Sequence, residues 1–254
     1  MENTIRKESY EVQDILQNGY KIIQDKKNFK FGLDAFLLAW FAKEGIRNGQ
    51  SAIDLCTGTG IVPLLLSSSS RAVHISGLEI QENSAKMAKR SVGLNNLSQK
   101  IEIIHGDVKN VSGIFKKHSV EVVTCNPPYM IYGHGKQNPA DEKAISRFEV
   151  LCSLEDVVSA ADYLLKTSGV FYMVHRPFRL AEIFASLQQH KIEPKRMCLV
   201  YPYAQKEPNI VLVEARKNAN SRIKIEKPLV VYKNNGEYTD EIKKIYSCFE
   251  KTDL

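Results

Sequence analysis

The chain has 254 residues, 43% hydrophobic and 25% charged, with a formal net charge of +6, which suits a soluble chain with one well-buried α/β domain and an appendage. The opening MENTIRKESYEVQD is too charged for a signal peptide, and no later run approaches the ~20 apolar residues of a membrane span. Cys56, Cys125, Cys152, Cys198 and Cys248 form no CxxC and have no close His in sequence, which speaks against disulfides and zinc and for a reducing cytoplasm.

Residues 1–50 precede the first core strand and are expected to flank the ligand cleft. They carry a basic cluster, Lys26, Lys27 and Lys30, and then an apolar helix at Leu33–Phe41. From residue 51 to 217, short apolar runs alternate with segments of helical period, the pattern of a core domain. Ala52–Leu55, Val73–Ile80, Ile101–His105, Val120–Cys125 and Val170–Val174 read as strands, and Ser67–Ser70 reads as a loop after a helix. Leu154, Val157, Val158, Ala161, Leu164 and Leu165 recur at helical spacing behind Ser153, an expected N-cap with Asp156 three residues on. Leu180, Ile183, Phe184 and Leu187 mark a further helix. Met197–Tyr201 and Ile210–Glu214 are strands whose connection is too short for a helical crossover, so they should pair antiparallel. The sum is a doubly wound, Rossmann-like α/β sheet of seven strands, mostly parallel with an antiparallel last strand. Residues 218–254 form a basic appendage expected to pack on the core, with a strand-like Leu229–Tyr232, a turn at Asn234–Gly236 and a short helix from about Glu241.

In such a sheet ligands bind outside the carboxyl ends of the strands, and the motifs gather there. Asp54-Leu55-Cys56-Thr57-Gly58-Thr59-Gly60 follows the first core strand, where glycines let the backbone turn tightly and approach a ligand. Glu79, with Ile80, ends the second strand, and Asp107, with Val108, ends the third. Three acids at three successive strand ends are hard to explain as packing. The spacing has no GxGxxG and places Pro63 in the first turn of the following helix, which departs from a nicotinamide fingerprint. It resembles instead the class I S-adenosylmethionine-dependent methyltransferases. That resemblance implies that the Asp54–Gly60 turn holds the amino-acid part of S-adenosylmethionine, that Glu79 takes both ribose hydroxyls and that Asp107 reaches the adenine amine.

The fourth strand ends in Asn126-Pro127-Pro128-Tyr129. An amine conjugated to a ring is a poor nucleophile because its lone pair is delocalised. The Asn126 side-chain carbonyl and the Pro127 main-chain carbonyl can each accept one N–H, drawing the nitrogen towards tetrahedral geometry. Two prolines fix φ near −65° and remove competing donors. Tyr129 offers a flat face on which a base stacks, worth about 1–3 kcal/mol. No general base and no metal is needed before transfer; positioning and electrostatics carry the acceleration.

The same four residues serve N6-adenine DNA, N2-guanine RNA and protein-glutamine methyltransferases, so the acceptor has to come from the rest of the chain. Gln24-Asp25, Phe29–Ala39, DLCTGTG, GLEIQ, HGD, TCNPPY and Glu207–Glu214 resemble the tRNA1(Val) (adenine-37-N6)-methyltransferase family, more specifically its branch from Gram-positive bacteria. The resemblance implies that Phe31, Asp34 and Ala35 border the cofactor, that Asn126–Tyr129 hold the adenine, and that the substrate is a tRNA. A loop base is a sensible target because it can be splayed out and stacked. Residues expected to touch RNA are Lys136 and Arg147, in a polar loop spanning Met130–Phe148, Arg176 and Arg179 after the fifth strand, and Arg222, Lys224 and Lys227 in the basic tail. A charge run of that kind equally suits a solvated face. A monomer is expected. The competing readings are methylation of rRNA, DNA or a protein glutamine, or a nucleic-acid-binding module that has lost catalysis.

Overall fold

The computed structural model describes residues 11–16, 19–25, 32–128 and 152–250. The central sheet contains β3 (Ser51–Leu55), β4 (His74–Glu79), β5 (Ile101–His105), β6 (Val120–Cys125), β7 (Leu165–His175), β8 (Ile192–Tyr201) and β9 (Ile210–Lys217). Their order is β8-β9-β7-β6-β3-β4-β5, and β9 alone of these seven runs against its neighbours. From β3 the chain winds outward to β4 and β5, then returns to the other flank of β3 for β6. The order therefore reverses between β3 and β6, and the crevice at such a reversal is where open α/β sheets take their ligands.

Both faces of the sheet are covered, so its strands are apolar on both sides. Along β7, Val170, Tyr172 and Val174 face one core, and Phe171 and Met173 face the other, the period of two that a pleated strand imposes. The first face is covered by α1 (Leu33–Lys43), α2 (Ile61–Ser69) and α3 (Glu82–Leu94). The second is covered by α4 (Val111–Ile114), α5 (Leu154–Leu164) and α6 (Leu180–Gln189). Helix α1 buries seven of its eleven residues and is apolar nearly all round, as a helix caught between a sheet and other helices must be. Helix α5 starts as expected: the Ser153 hydroxyl accepts the Asp156 N–H at 3.2 Å while the Asp156 carboxylate accepts the Ser153 N–H at 2.8 Å.

Four features differ from the sequence reading. The Ser67–Ser69 hydroxyls bond back to carbonyls three or four residues earlier, so this stretch is the last turn of α2 and not a loop. β7 begins at Leu165 and β8 at Ile192, each about five residues early; the polar Lys166–Gly169 and the Pro194 bulge break the apolar pattern without breaking the pairing. An antiparallel hairpin, β1 (Glu11–Ile15) and β2 (Lys21–Asp25), precedes α1 and docks on α3, where Ile23 N–H donates to Ser91 Oγ at 2.9 Å. The sheet has nine strands in place of seven, because β10 (Lys224–Ile225) and β11 (Leu229–Val230) both add to the outer edge of β8. The chain ends its described part in α7 (Asp240–Ser247), which meets α1 through Phe36–Tyr246 at 4.8 Å and Phe36–Phe249 at 5.8 Å. The C-terminal segment thus covers a strand edge that would otherwise be open. Among the described residues no helix is long and apolar enough to cross a membrane.

Candidate active site

The crevice at the β3/β6 reversal is a cleft enclosing about 1120 Å³, its open mouth included. Ala35, Asp54, Cys56, Thr57, Gly58, Glu79, Ile80, Asp107, Val108, Asn126, Pro127 and Pro128 all line it, so residues spread over nearly a hundred positions of sequence meet in one place. The turn after β3 has positive φ at Cys56, Gly58 and Gly60 (56°, 58° and 84°). At Gly60 a side chain would bring Cβ to 3.1 Å from the Ala88 Cβ of α3, so glycine there permits close helix approach. At Gly58 a Cβ would meet nothing within 4 Å, leaving that face of the turn open.

The turn is fastened to β4. Thr57 N–H donates to the Leu78 carbonyl at 3.0 Å, and Gly58 N–H donates to Glu79 Oε2 at 2.8 Å. Glu79 Oε1 accepts the Gln81 N–H at 2.8 Å, so both carboxylate oxygens are oriented by backbone while each keeps acceptor capacity. Burial pushes the Glu79 carboxyl up, and these backbone donors partly offset it. Asp54 is 1% exposed, and its Oδ1 accepts the Thr124 hydroxyl at 2.6 Å. Burial pushes its carboxyl to about 7, against the opposing effect of that hydrogen bond. Asp107 is more open; its Oδ1 accepts the Lys109 N–H at 2.9 Å and caps the turn at Val108–Asn110.

Asn126, Pro127 and Pro128 follow Cys125, which is level with Leu55 of β3. They therefore face the glycine turn across the reversal. Tyr129, Phe31, Lys136, Arg147 and the Met130–Phe148 loop lie outside the described residues.

Other expected residues are placed differently. Ala35 lines the cleft, whereas the Asp34 carboxylate turns to Arg176, 3.4 Å away. Arg176 also donates to the Asn209 carbonyl at 2.8 Å. Arg179 is 4% exposed, with Nε on Glu182 at 2.8 Å. Of these two arginines, read from sequence as phosphate contacts, Arg176 pairs with Asp34 of α1, and the buried Arg179 pairs with the half-exposed Glu182 three residues on. Arg222, Lys224 and Lys227 are exposed. β10, however, pairs with Arg196 and Met197, well below the carboxyl end of β8, and Lys224 meets Glu226 at 3.0 Å.

Sequence reasoning missed Cys152 and Ser84, which also line the cleft. Cys152 Sγ lies 3.9 Å from Cys56 Sγ, and contact with Cys125 together with burial holds the Cys56 thiol well above its ordinary value. Held protonated, the Cys56 thiol is a packing group and not a nucleophile. No sequence signal pointed to Cys152, which stands 96 residues from Cys56.

The comparisons agree with this geometry. Residues 32–192 match the family model described as the methyltransferase small domain. The chain is 29% identical over 243 residues to a tRNA1(Val) (adenine(37)-N6)-methyltransferase of Histophilus somni strain 129Pt, covering 93% of this chain and 97% of that protein. It is 24% identical to the protein of that name from Porphyromonas gingivalis strain W83, covering 88% and 89%. Among solved structures it is similar to a predicted O-methyltransferase from Agrobacterium tumefaciens, with TM-score 0.68 at 20% identity, covering 86% of this chain and 98% of the other. It is also similar to a geranyl diphosphate C-methyltransferase from Streptomyces coelicolor bound to S-adenosyl-L-homocysteine, with TM-score 0.55 at 11% identity, covering 73% and 80%. The cleft fits S-adenosylmethionine: it offers an open glycine face, a backbone-oriented carboxylate for a diol and a buried carboxylate for a cation. The protein uses that cofactor as a methyl donor, and the chain belongs to the methyltransferase small domain family.

Proposed function

We propose that this protein methylates the N6 amine of an adenine in tRNA, at adenine 37 of a valine tRNA. The observation that carries the reading is the placement of Asn126, Pro127 and Pro128 on the same cleft as Asp54, Gly58, Glu79 and Asp107. S-adenosylmethionine supplies an electrophilic methyl group when bound. The chain's own residues do the rest. Asp54 would neutralise the cationic amino-acid end, Glu79 would accept from the ribose hydroxyls, and Asp107, nearer the mouth, would accept from the adenine amine. Asn126 Oδ1 and the Pro127 carbonyl take the two N–H groups of the acceptor and aim its lone pair into the cleft. No general base is required, because the proton leaves after the methyl arrives.

The tRNA assignment is supported by the relatives' names over about nine-tenths of the chain and by the motifs that run through Phe29–Ala39 and Glu207–Glu214. The test is transfer of labelled methyl to total unmodified tRNA, followed by nucleoside mass spectrometry of the digest. N6-methyladenosine, absent with Asn126→Ala, supports the reading. Label in DNA, rRNA or a release factor and none in tRNA would keep the amine-positioning chemistry and replace the substrate. Bound cofactor with transfer to none of these would favour a non-catalytic module.

A further inference from the structure

The turn after β7 is fastened on several sides and leaves one large side chain outside. Arg176 N–H donates to His175 Nδ1 at 2.8 Å, and the Arg176 guanidinium reaches Asp34 and the Asn209 carbonyl. Arg179 is 4% exposed and pairs with Glu182, and Pro177 stands at the start of the turn, where its ring restricts φ. Between these anchors Phe178 is 68% exposed. A single exposed apolar side chain needs no explanation on its own. This one is held on a fixed turn at the carboxyl edge of the sheet, one strand from Asn126, since β7 pairs directly with β6.

The Arg176–Asn209 bond ties that turn to the loop between β8 and β9, where Tyr203 stands at the head of a row of rings. Tyr203 meets Tyr232 at 5.5 Å, Tyr232 stacks on Tyr238 at 5.3 Å and 14°, Tyr238 meets Tyr246 at 5.4 Å, and Tyr246 meets Phe36 of α1 at 4.8 Å. The row runs from the core to the surface, so Tyr203 is backed by packed rings. Gln205 Nε2 on Asn234 Oδ1 at 3.1 Å joins the same loop to the next turn, and Lys206 is exposed beside it. Proceeding outward from Asn126, the carboxyl edge therefore presents Phe178, then Tyr203 with a lysine nearby. Flat faces beside a cation suit nucleobases on a phosphate backbone, because every base has a stacking face.

We infer that Phe178 and Tyr203 form a stacking edge for the single-stranded nucleotides that flank the methylated base in the RNA loop. The inference rests on the tRNA reading above and names the surface that would hold that substrate. It differs from a grip by the basic tail, whose β10 lies partway down the sheet flank and not on this edge.

The test uses the full chain and an unmodified transcript of tRNA1(Val), comparing Phe178→Ala and Tyr203→Ala with Phe178→Trp and Tyr203→Phe. Loss of one stacked base should lower kcat/KM for the transcript by roughly 5- to 150-fold in each alanine variant, chiefly through KM. The ring-keeping variants should stay near wild type, and the calorimetric cofactor Kd should not move. Alanine variants that methylate as well as wild type overturn the inference, and so does an equal loss of cofactor affinity, which would make the turn purely structural. A protein partner on this edge would leave the purified reaction untouched, the same overturning result. If the wild-type protein itself methylates no tRNA, the functional reading fails first and takes this edge with it.

Discussion

The amino end of the central sheet and the cleft at its carboxyl end treat buried charge in opposite ways. At the amino end, charges find countercharges: Lys217, 6% exposed, meets Asp162 at 2.8 Å, and Lys166 pairs with Glu121. Glu121 also accepts the Ser51 N–H at 3.0 Å, tying the starts of β6 and β3 together. At the carboxyl end, Asp54 and Glu79 are equally buried, but their described hydrogen bonds come from a hydroxyl and backbone N–H groups. Burying a carboxylate without a cation is costly, and both groups show it in raised pKa values. One end is finished by folding; the other is completed by a ligand.

The largest effect expected from breaking this division is on chemistry. Asn126→Ala should lower kcat by roughly 10²–10³ or more, the scale seen when one preorganised polar contact is removed from a reacting centre. Its cofactor Kd and melting temperature should stay within error of wild type. Radiolabel transfer, calorimetry and thermal melts report the three separately, and parallel loss of all three would mean a folding defect instead.

Lys217→Ala tests the finished end. Removing one member of a buried pair costs 3–5 kcal/mol when both members are buried. Asp162 is 36% exposed, so about 2 kcal/mol is expected here, read by denaturant melts. Cofactor affinity should not change. If Kd weakened as much as stability, the two ends would be coupled through β6 and β7 and the contrast would fail.

How far the sequence exposed this division depends on the kind of interaction. Cleft residues fixed by local chain geometry were legible: glycines before a helix, acids at strand ends, prolines after Cys125. The seven core strands were legible because β-branched runs buried on both faces have few alternatives. What stayed hidden came from contacts made at a distance. The β1–β2 hairpin depends on Ser91 of α3 and on Asn95, which caps that helix, roughly 70 positions on. The inward turn of Arg176 depends on Asp34, 142 positions away. A basic residue after a strand reads as a phosphate contact until the carboxylate that claims it is located. β10 and β11 are two residues each, too short to show a period.

Asp54→Asn probes the unfinished end directly. The substitution keeps an acceptor for the Thr124 hydroxyl and removes a charge that no cation among the described residues pairs with. The folded pKa, about 7, lies above the unfolded value of about 3.9. The contribution to stability is therefore fully present below pH ~3.9 and is lost as pH rises through about 7, by up to about 4 kcal/mol. Without ligand, Asp54→Asn should melt higher than wild type at pH 8, with a gap that closes as pH falls towards 4. A destabilised variant at pH 8 would show that the carboxylate is already satisfied.

The smallest effect is also the sharpest, because it runs the other way. A cationic ligand group beside Asp54 favours the ionised carboxylate, so cofactor affinity should rise with pH while the stability of the free protein falls. With a pKa of about 7, the ionised fraction grows roughly eightfold between pH 6 and pH 7.5, and Kd should tighten by about that factor. Binding below pH 7 must then release a proton to the buffer, which calorimetry detects as a binding enthalpy that depends on the buffer's ionisation heat. Glu79, raised in the same direction, adds to the trend without reversing it. In Asp54→Asn most of the pH dependence should disappear along with part of the affinity. A wild-type Kd that is flat from pH 6 to 7.5 would mean that Asp54 stays ionised in the free protein. The carboxyl end would then be as complete as the amino end before any ligand arrives, and the contrast between them would come down to shape alone.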